Sequence, residues 1–256
     1  MKNKMKFKKK GQITIFIIIG LIIVVLVMLF FLLKNPPQPK EFDESNPQAY
    51  IEACTRGVVE EALELLSSQG GDITPVGSIT YNSTEITYLC YIDAYYKQCI
   101  NQRPMLVEHI ENEITNYITP KVQNCFKSLE LSQNKRYDIE NSQDINLVTK
   151  LHPKQIIVEI DKEFKMIREN EVREFKHFKM NMVHPIYNFA EIAMEIVNQE
   201  SRYCNFDVLG FMILYPGYDI KDKITGENDV IYKITERATN QEFWFAVKSC
   251  PLPPGF

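Results

Sequence analysis

Six cysteines are the residues of this chain best suited to covalent chemistry, and all of them lie beyond residue 50. They are Cys54, Cys90, Cys99, Cys125, Cys204 and Cys250. An even number of cysteines in an exported domain indicates a disulfide framework, which forms in an oxidising compartment. Zinc binding is the competing chemistry, but the chain has no C-x-x-C pair and no Cys/His cluster at ligand spacing. We therefore expect disulfides, with a free core cysteine as the alternative at any single position.

The sequence does not determine how the cysteines pair, because six cysteines allow about 15 connectivities. The short separation favours Cys90 with Cys99 across a hairpin. Two helical patterns that could pack side by side favour Cys54 with Cys125, which leaves the two most C-terminal cysteines. A bond between the two helices would close a loop of about 70 residues and stabilise the fold by roughly 4 kcal/mol.

Four histidines are the other side chains typical of catalytic or metal sites. They are His109, His152, His177 and His184, and they fall at no catalytic or ligand spacing. The chain also lacks the G-x-S-x-G elbow of α/β-hydrolases and the H-E-x-x-H motif of zinc proteases. We interpret each histidine as a surface or turn residue, and the sequence predicts no catalytic residue, metal site or cofactor. Triads assemble from distant positions, so an exported enzyme stays as an alternative.

An acidic stretch, 219–229, is a second place to consider for metal binding. Its carboxylates would suit calcium outside the cell, but it lacks the alternating ligand spacing of an EF-hand loop. Lys221 and Lys223 also interrupt it. We expect a solvated hairpin turn there.

Two further features are candidates for surface roles. Asn82-Ser83-Thr84 is a glycosylation triplet. Tyr88, Tyr91, Tyr95 and Tyr96 lie beside the Cys90/Cys99 pair. Tyrosine is enriched at interfaces because its ring is apolar and its tip is polar, so these four form a candidate contact surface. Core packing is the alternative that the sequence favours for them.

The elements that position these residues begin with an N-terminal apolar segment. Residues 13–33 form a run of 21 residues without a charge. A helix of that length is roughly 30 Å long, which matches the hydrocarbon core of a bilayer. Six lysines precede the run and only Lys34 and Lys40 follow it closely. The positive-inside rule therefore predicts a cytoplasmic N-terminus and an extracellular body, with the lipid bilayer as a partner.

The charge of the chain is distributed unevenly. Residues 35–256 hold 22 of the 29 basic residues and all 33 acidic ones, a net charge of −11. Phosphate contacts need clustered Lys and Arg, so the acidic body argues against binding to nucleic acid.

The junction Lys9-Lys10-Gly11-Gln12-Ile13-Thr14-Ile15-Phe16 resembles the class III, type IV pilin-like signal of archaeal surface proteins. The resemblance implies that a prepilin-type peptidase cuts between Gly11 and Gln12 and leaves the apolar helix attached. It also implies copies of the chain, or other pilin-like subunits, as partners through that helix. Archaeal pilins of this class usually carry Glu at the position of Phe16, which is a departure.

Other parts of the chain are similar to a group of uncharacterised membrane-anchored proteins from small-genome archaea. The similarity rests on 50–54, on 61–63 leading to 69–71, on 187–192 and on Phe243-Trp244-Phe245-Ala246. It implies no activity.

The remaining chain alternates between helical and strand patterns. The predicted helices are 46–69, 103–129 and 185–200, and the predicted strands are two within 78–91, then 137–151, 155–168, 172–182, 206–215, 230–235 and 243–248. In the first helix, the predicted buried positions are Ile51, Cys54, Val58, Ala62, Leu65 and Leu66. The pattern predicts an α+β ectodomain of helices packed on an antiparallel sheet.

The predicted organisation is a basic cytoplasmic segment 1–12, a transmembrane helix 13–33, a Pro-rich linker 34–45 and an extracytoplasmic domain 46–256. The leading hypothesis is a non-enzymatic, pilin-like or membrane-anchored cell-surface protein that mediates adhesion or assembly. The alternative is a monomeric, signal-anchored extracellular binding module or envelope-complex subunit. An exported enzyme is the second alternative.

Overall fold

The computed structural model describes residues 18–22, 46–225 and 228–253. Most of the predicted membrane segment 13–33, the predicted cleavage site Gly11-Gln12 and the whole linker 34–45 lie outside these residues. Within the segment, 18–22 are helical. Among the described residues no helix is both long enough and apolar enough to cross a membrane. The chain divides into two compact units, Met1–Phe42 and Asp43–Phe256. The second unit contains all six cysteines.

This unit contains four helices and ten strands in its described residues. The helices are α1 Pro47–Ser68, α2 Leu106–Gln133, α3 Ile186–Tyr203 and α4 Val208–Leu214. The strands are β1 Ser78–Tyr81, β2 Thr84–Tyr91, β3 Ile100–Asn101, β4 Asp138–Asn141, β5 Asn146–His152, β6 Gln155–Arg168, β7 Glu171–Val183, β8 Tyr218–Ile224, β9 Val230–Glu236 and β10 Glu242–Lys248. The predicted α+β class is confirmed.

The strands form two sheets, where the sequence predicted one. A six-stranded sheet has the order β1-β2-β10-β9-β8, with β3 also paired to β2, and the pair β2/β10 is parallel. In the other sheet β6 pairs with β7 along one edge and with β4 and β5 along the other. The predicted purely antiparallel sheet is therefore corrected by one parallel pairing.

Helix α1 begins and ends where its local residues require. The Asn46 side-chain oxygen accepts hydrogen bonds from the backbone N–H of Gln48 and Ala49, at 3.2 and 3.4 Å. Asn46 is therefore the N-cap of the helix. After the helix, Gly70 and Gly71 adopt φ of 76° and 91°, which a side chain would disfavour.

The buried face of α1 differs from the predicted stripe. Buried positions include Thr55, Val59 and Leu63, whereas Cys54, Val58 and Leu65 are only half-buried. The reason is that α1 packs against α2 and also against β7 and β10, so its inner face is turned by one residue.

The predicted hairpin is confirmed, with a two-residue turn between β1 and β2. Asn82 and Ser83 have φ of 49° and 66°. Positive φ at both turn residues gives the twist that joins tightly connected antiparallel strands.

Three predictions of local structure need correction. The segment 137–151 forms two strands, β4 and β5, which both pair with β6. Because β6 bulges between Asp161 and Phe164, the residues that connect β4 to β5 leave the sheet beside the bulge. In this bulge the buried Lys162 ammonium donates to the Ser142 carbonyl. The segment 206–215 contains the helix α4. In the acidic stretch 219–229, the first part up to Ile224 belongs to strand β8, and the predicted hairpin connection is limited to the residues between Ile224 and Val230, which join β8 to the antiparallel β9.

Three disulfides hold the unit together, and they join the pairs that spacing favoured. Cys54–Cys125 links α1 to α2, Cys90–Cys99 links β2 to the segment before β3, and Cys204–Cys250 links the end of α3 to the segment after β10. Each bond therefore connects two elements that are packed side by side.

Candidate binding cleft

The outer face of α3 presents a row of polar side chains. Asn188, Glu191, Glu195 and Gln199 follow the i, i+3, i+4 spacing that keeps residues on one face of a helix. The opposite face holds the buried residues Phe189, Ala193, Ile196 and Val197. Packing of the apolar face into the core therefore places two carboxylates and two amides side by side at the surface.

Helix α4 is apolar at six of its seven positions and yet has no buried residue. Its sequence is Val-Leu-Gly-Phe-Met-Ile-Leu. The exposed fractions of Leu209, Ile213 and Leu214 are 72%, 80% and 75%. Contiguous exposed apolar side chains of this kind mark interaction sites.

Two local contacts fix α4 in place. The Asp207 carboxylate accepts a hydrogen bond from the Gly210 N–H at 3.0 Å, which caps the helix. A Cβ at residue 210 would meet that carboxylate, which would have to move to make room. Phe211 turns inward and packs on the buried Phe206, with ring centroids 5.5 Å apart.

A cleft of about 690 Å³ lies between α3 and α4. Its floor includes Ile192 and Tyr218, and its polar side is the row on α3 together with Asp207. Its apolar side is formed by Phe211 and Leu214 of α4. Burial, and secondarily the charge of Glu236, raises the pKa of the Tyr218 hydroxyl, so this group stays neutral. None of the cleft-lining residues in the described chain is basic. The cleft is thus half apolar and half acidic.

The four candidate contact tyrosines do not share one environment. Tyr95 and Tyr96 are exposed, with fractions of 51% and 61%. Tyr88 and Tyr91 are half-buried with ring centroids 5.0 Å apart. The Tyr88 hydroxyl donates to the buried Asp229 carboxylate at 2.9 Å. Tyr95 and Tyr96 are therefore accessible at the surface, whereas Tyr88 and Tyr91 pack against each other.

A buried carboxylate, Asp72, is a polar centre that the sequence analysis missed. It accepts hydrogen bonds from the Thr87 hydroxyl at 2.9 Å, the Arg103 guanidinium at 3.1 Å and the His109 ring. Burial would raise its pKa, but the hydrogen bonds from His109, Thr87 and Arg103 outweigh burial and hold the pKa of Asp72 below its usual range. No described cavity is lined by this cluster, and we assign it a structural role.

Two of the histidines are not the simple surface residues that the sequence predicted. His109 contacts Asp72, and His184 is buried before α3, where its Nδ1 accepts from the Ile186 N–H at 3.2 Å. Burial lowers the pKa of His184 to about 4. His152 and His177 are exposed, as predicted.

The remaining predicted sites can be placed only in part. Asn82 is exposed at the tip of the β1–β2 turn. In the described part of the chain, no group of three or more His, Cys, Asp or Glu side chains lies where it could hold a metal ion.

Comparisons with protein-family models, with characterised proteins and with solved structures found no match for this chain. The chemistry of the cleft is therefore inferred from its own residues.

Proposed function

We propose that this chain is a single-pass membrane protein whose folded unit lies outside the cytoplasm and binds a partner. The observation that carries the binding role is helix α4 beside the cleft, because three of its large aliphatic side chains are more than 70% exposed and one of them, Leu214, lines the cleft. Monomeric soluble proteins rarely expose several large apolar side chains together unless these form an interaction site. The role is a non-enzymatic one in adhesion or in assembly of a surface complex.

The membrane part of the proposal is supported by the sequence. An uncharged run at 13–33, preceded by six lysines, has the length and charge bias of a signal anchor. Three disulfides support the placement of the folded unit, because disulfides persist in oxidising compartments and are rare in the cytosol.

Alkaline carbonate extraction and external proteolysis of intact cells test this placement together. The full chain should stay in the membrane pellet, and protease added outside should remove the folded unit. A matched deletion of 13–33 should release the chain from the membrane. Protection from protease in intact cells, with digestion only after lysis, would contradict the proposal.

A second candidate is a pilin-like subunit that assembles through its N-terminal helix. The specific observation in its favour is Gly11-Gln12 placed directly before the apolar run. Phe16, where a Glu is usual in such signals, favours the monomeric anchored form instead. Intact-mass analysis of the membrane-extracted protein distinguishes them: a mature N-terminus at Gln12, with filaments on the cell, supports the subunit, whereas an intact Met1 or Lys2 terminus refutes processing.

A further inference from the structure

The two sides of the cleft between α3 and α4 require opposite properties in whatever fills it. On α4, Phe211 and Leu214 line the cleft, and Leu214 is 75% exposed. These side chains need an apolar surface. On α3, Glu191 and Glu195 are four residues apart, and both are exposed. Their carboxylates need cations or water.

The cleft also has a defined length. Its polar side runs from Asn188 to Gln199 along α3, and eleven steps of helical rise make roughly 16 Å. This corresponds to about three turns of a helix laid alongside α3. A volume of about 690 Å³ gives room for side chains inserted from such a segment.

We propose that the occupant is a basic amphipathic helical segment of a partner protein, about three turns long. Its apolar face packs on α4 and its Lys or Arg side chains face Glu191 and Glu195. This is the helix-in-groove mode of recognition, in which affinity comes from the apolar anchors and charges set specificity. The inference rests on the proposed binding function and names the class of partner.

Charge argues against two other occupants. A second copy of the chain would bring another body with a net charge of −11, and like charges at an interface are unfavourable. An anionic lipid surface would face the carboxylates of Glu191, Glu195 and Asp207, whereas membrane-surface helices normally carry Lys and Arg beside their apolar face. A basic peptide satisfies both sides of the cleft.

Fluorescence anisotropy on the full chain in phosphatidylcholine nanodiscs tests the proposal. The probe is a labelled peptide of about twelve residues with Leu on one face and Lys on the other, compared with the same peptide carrying Glu in place of Lys. Empty nanodiscs provide the blank. We expect the Lys peptide to bind about tenfold more tightly than the Glu peptide, with an affinity that falls as salt is added.

Two sets of variants locate the binding. Leu214→Ser and the double substitution Glu191→Gln/Glu195→Gln should each weaken binding of the Lys peptide by about fivefold or more. The matched controls are Leu131→Ser, an equally exposed leucine on α2, and Glu60→Gln/Glu64→Gln, an acidic pair with the same spacing on α1. Both controls should bind like the unchanged chain.

Several results would overturn the proposal. Equal affinity for the Lys and Glu peptides would contradict the charge preference. An equal loss of affinity for the Lys peptide in the cleft variants and the control variants would contradict binding at the cleft. Flotation with phosphatidylglycerol vesicles that is lost in Leu214→Ser would assign α4 to lipid. A dimer abolished by the same substitution would assign it to a second copy. Because the assay does not depend on membrane topology, its failure is distinguishable from failure of the proposed function.

Discussion

Two buried carboxylates show how local hydrogen bonds decide the charge of a side chain. Glu200 and Asp72 each expose only 3% of their surface. Burial raises the pKa of Glu200, and a hydrogen bond donated by Tyr232 offsets this only in part. Asp72 receives three hydrogen bonds and has a lowered pKa. The number of donors that reach the carboxylate therefore determines the direction in which its pKa shifts.

Replacement of Asp72 measures what its hydrogen bonds contribute. Asp72→Asn should lower the free energy of unfolding by about 2 kcal/mol, because Arg103 and His109 lose a charged acceptor. The matched control is Asp161→Asn, which removes an Asp–His contact of 2.6 Å whose two side chains are exposed. That change should cost less than about 0.5 kcal/mol. Denaturation followed through the single tryptophan, Trp244, gives both values, and equal losses would contradict the assignment.

His184 should make the stability of the folded unit depend on pH. Its pKa is about 4 in the folded chain and 6.5 for an ordinary histidine, so the unfolded chain binds a proton first as pH falls. The contribution of the neutral His184 ring to the free energy of unfolding is therefore complete above pH 6.5. As the pH falls from 6.5 to about 4 this contribution is lost, and the free energy of unfolding decreases by about 3 kcal/mol at most.

His184→Asn keeps an acceptor but does not titrate. Urea denaturation of this variant should show a smaller fall in stability over that pH window than the unchanged chain. His177→Asn, at an exposed histidine, should keep the full fall. A pH dependence that is the same in His184→Asn would contradict the role of burial.

At the scale of elements, one glycine in the turn after α1 is fixed by packing. Gly71 has φ of 91°, and a Cβ there would lie 3.2 Å from both Ile110 and Leu106 of α2. Gly71→Ala should therefore destabilise the fold by about 1–3 kcal/mol. Gly57→Ala, inside α1 with nothing within 4 Å, should instead stabilise it by about 0.5–1 kcal/mol. Opposite signs in thermal denaturation confirm the packing argument, and equal signs contradict it.

Element prediction from sequence succeeded where side-chain pattern and burial agree. The helices α1 to α3 and the β1–β2 hairpin have amphipathic or alternating patterns and local caps or turns that fix their ends. Helix α4 was missed because Val208–Leu214 is apolar on every side and shows no helical period. The same property leaves its side chains exposed beside the cleft, so the wrong prediction falls at the candidate site.

At the scale of the whole molecule, the missing information is tertiary contact. Asp72 and Arg103 are 31 residues apart in sequence, and Glu191 and Asp207 line one cleft from two different helix regions. No local pattern brings such residues together. The cysteine pairs were easier to predict, because one pair was close in sequence and another lay on two long helical patterns that pack together.

We propose that the folded unit is translocated while the N-terminus stays in the cytoplasm. Asn82-Ser83-Thr84 is the only Asn-x-Ser/Thr triplet in the chain, and its asparagine is exposed at a turn. Translation of the full chain into endoplasmic-reticulum microsomes should therefore give one mobility shift that endoglycosidase removes and that Asn82→Gln abolishes. An unshifted chain, with its folded unit digested by protease outside the vesicles, would contradict the account.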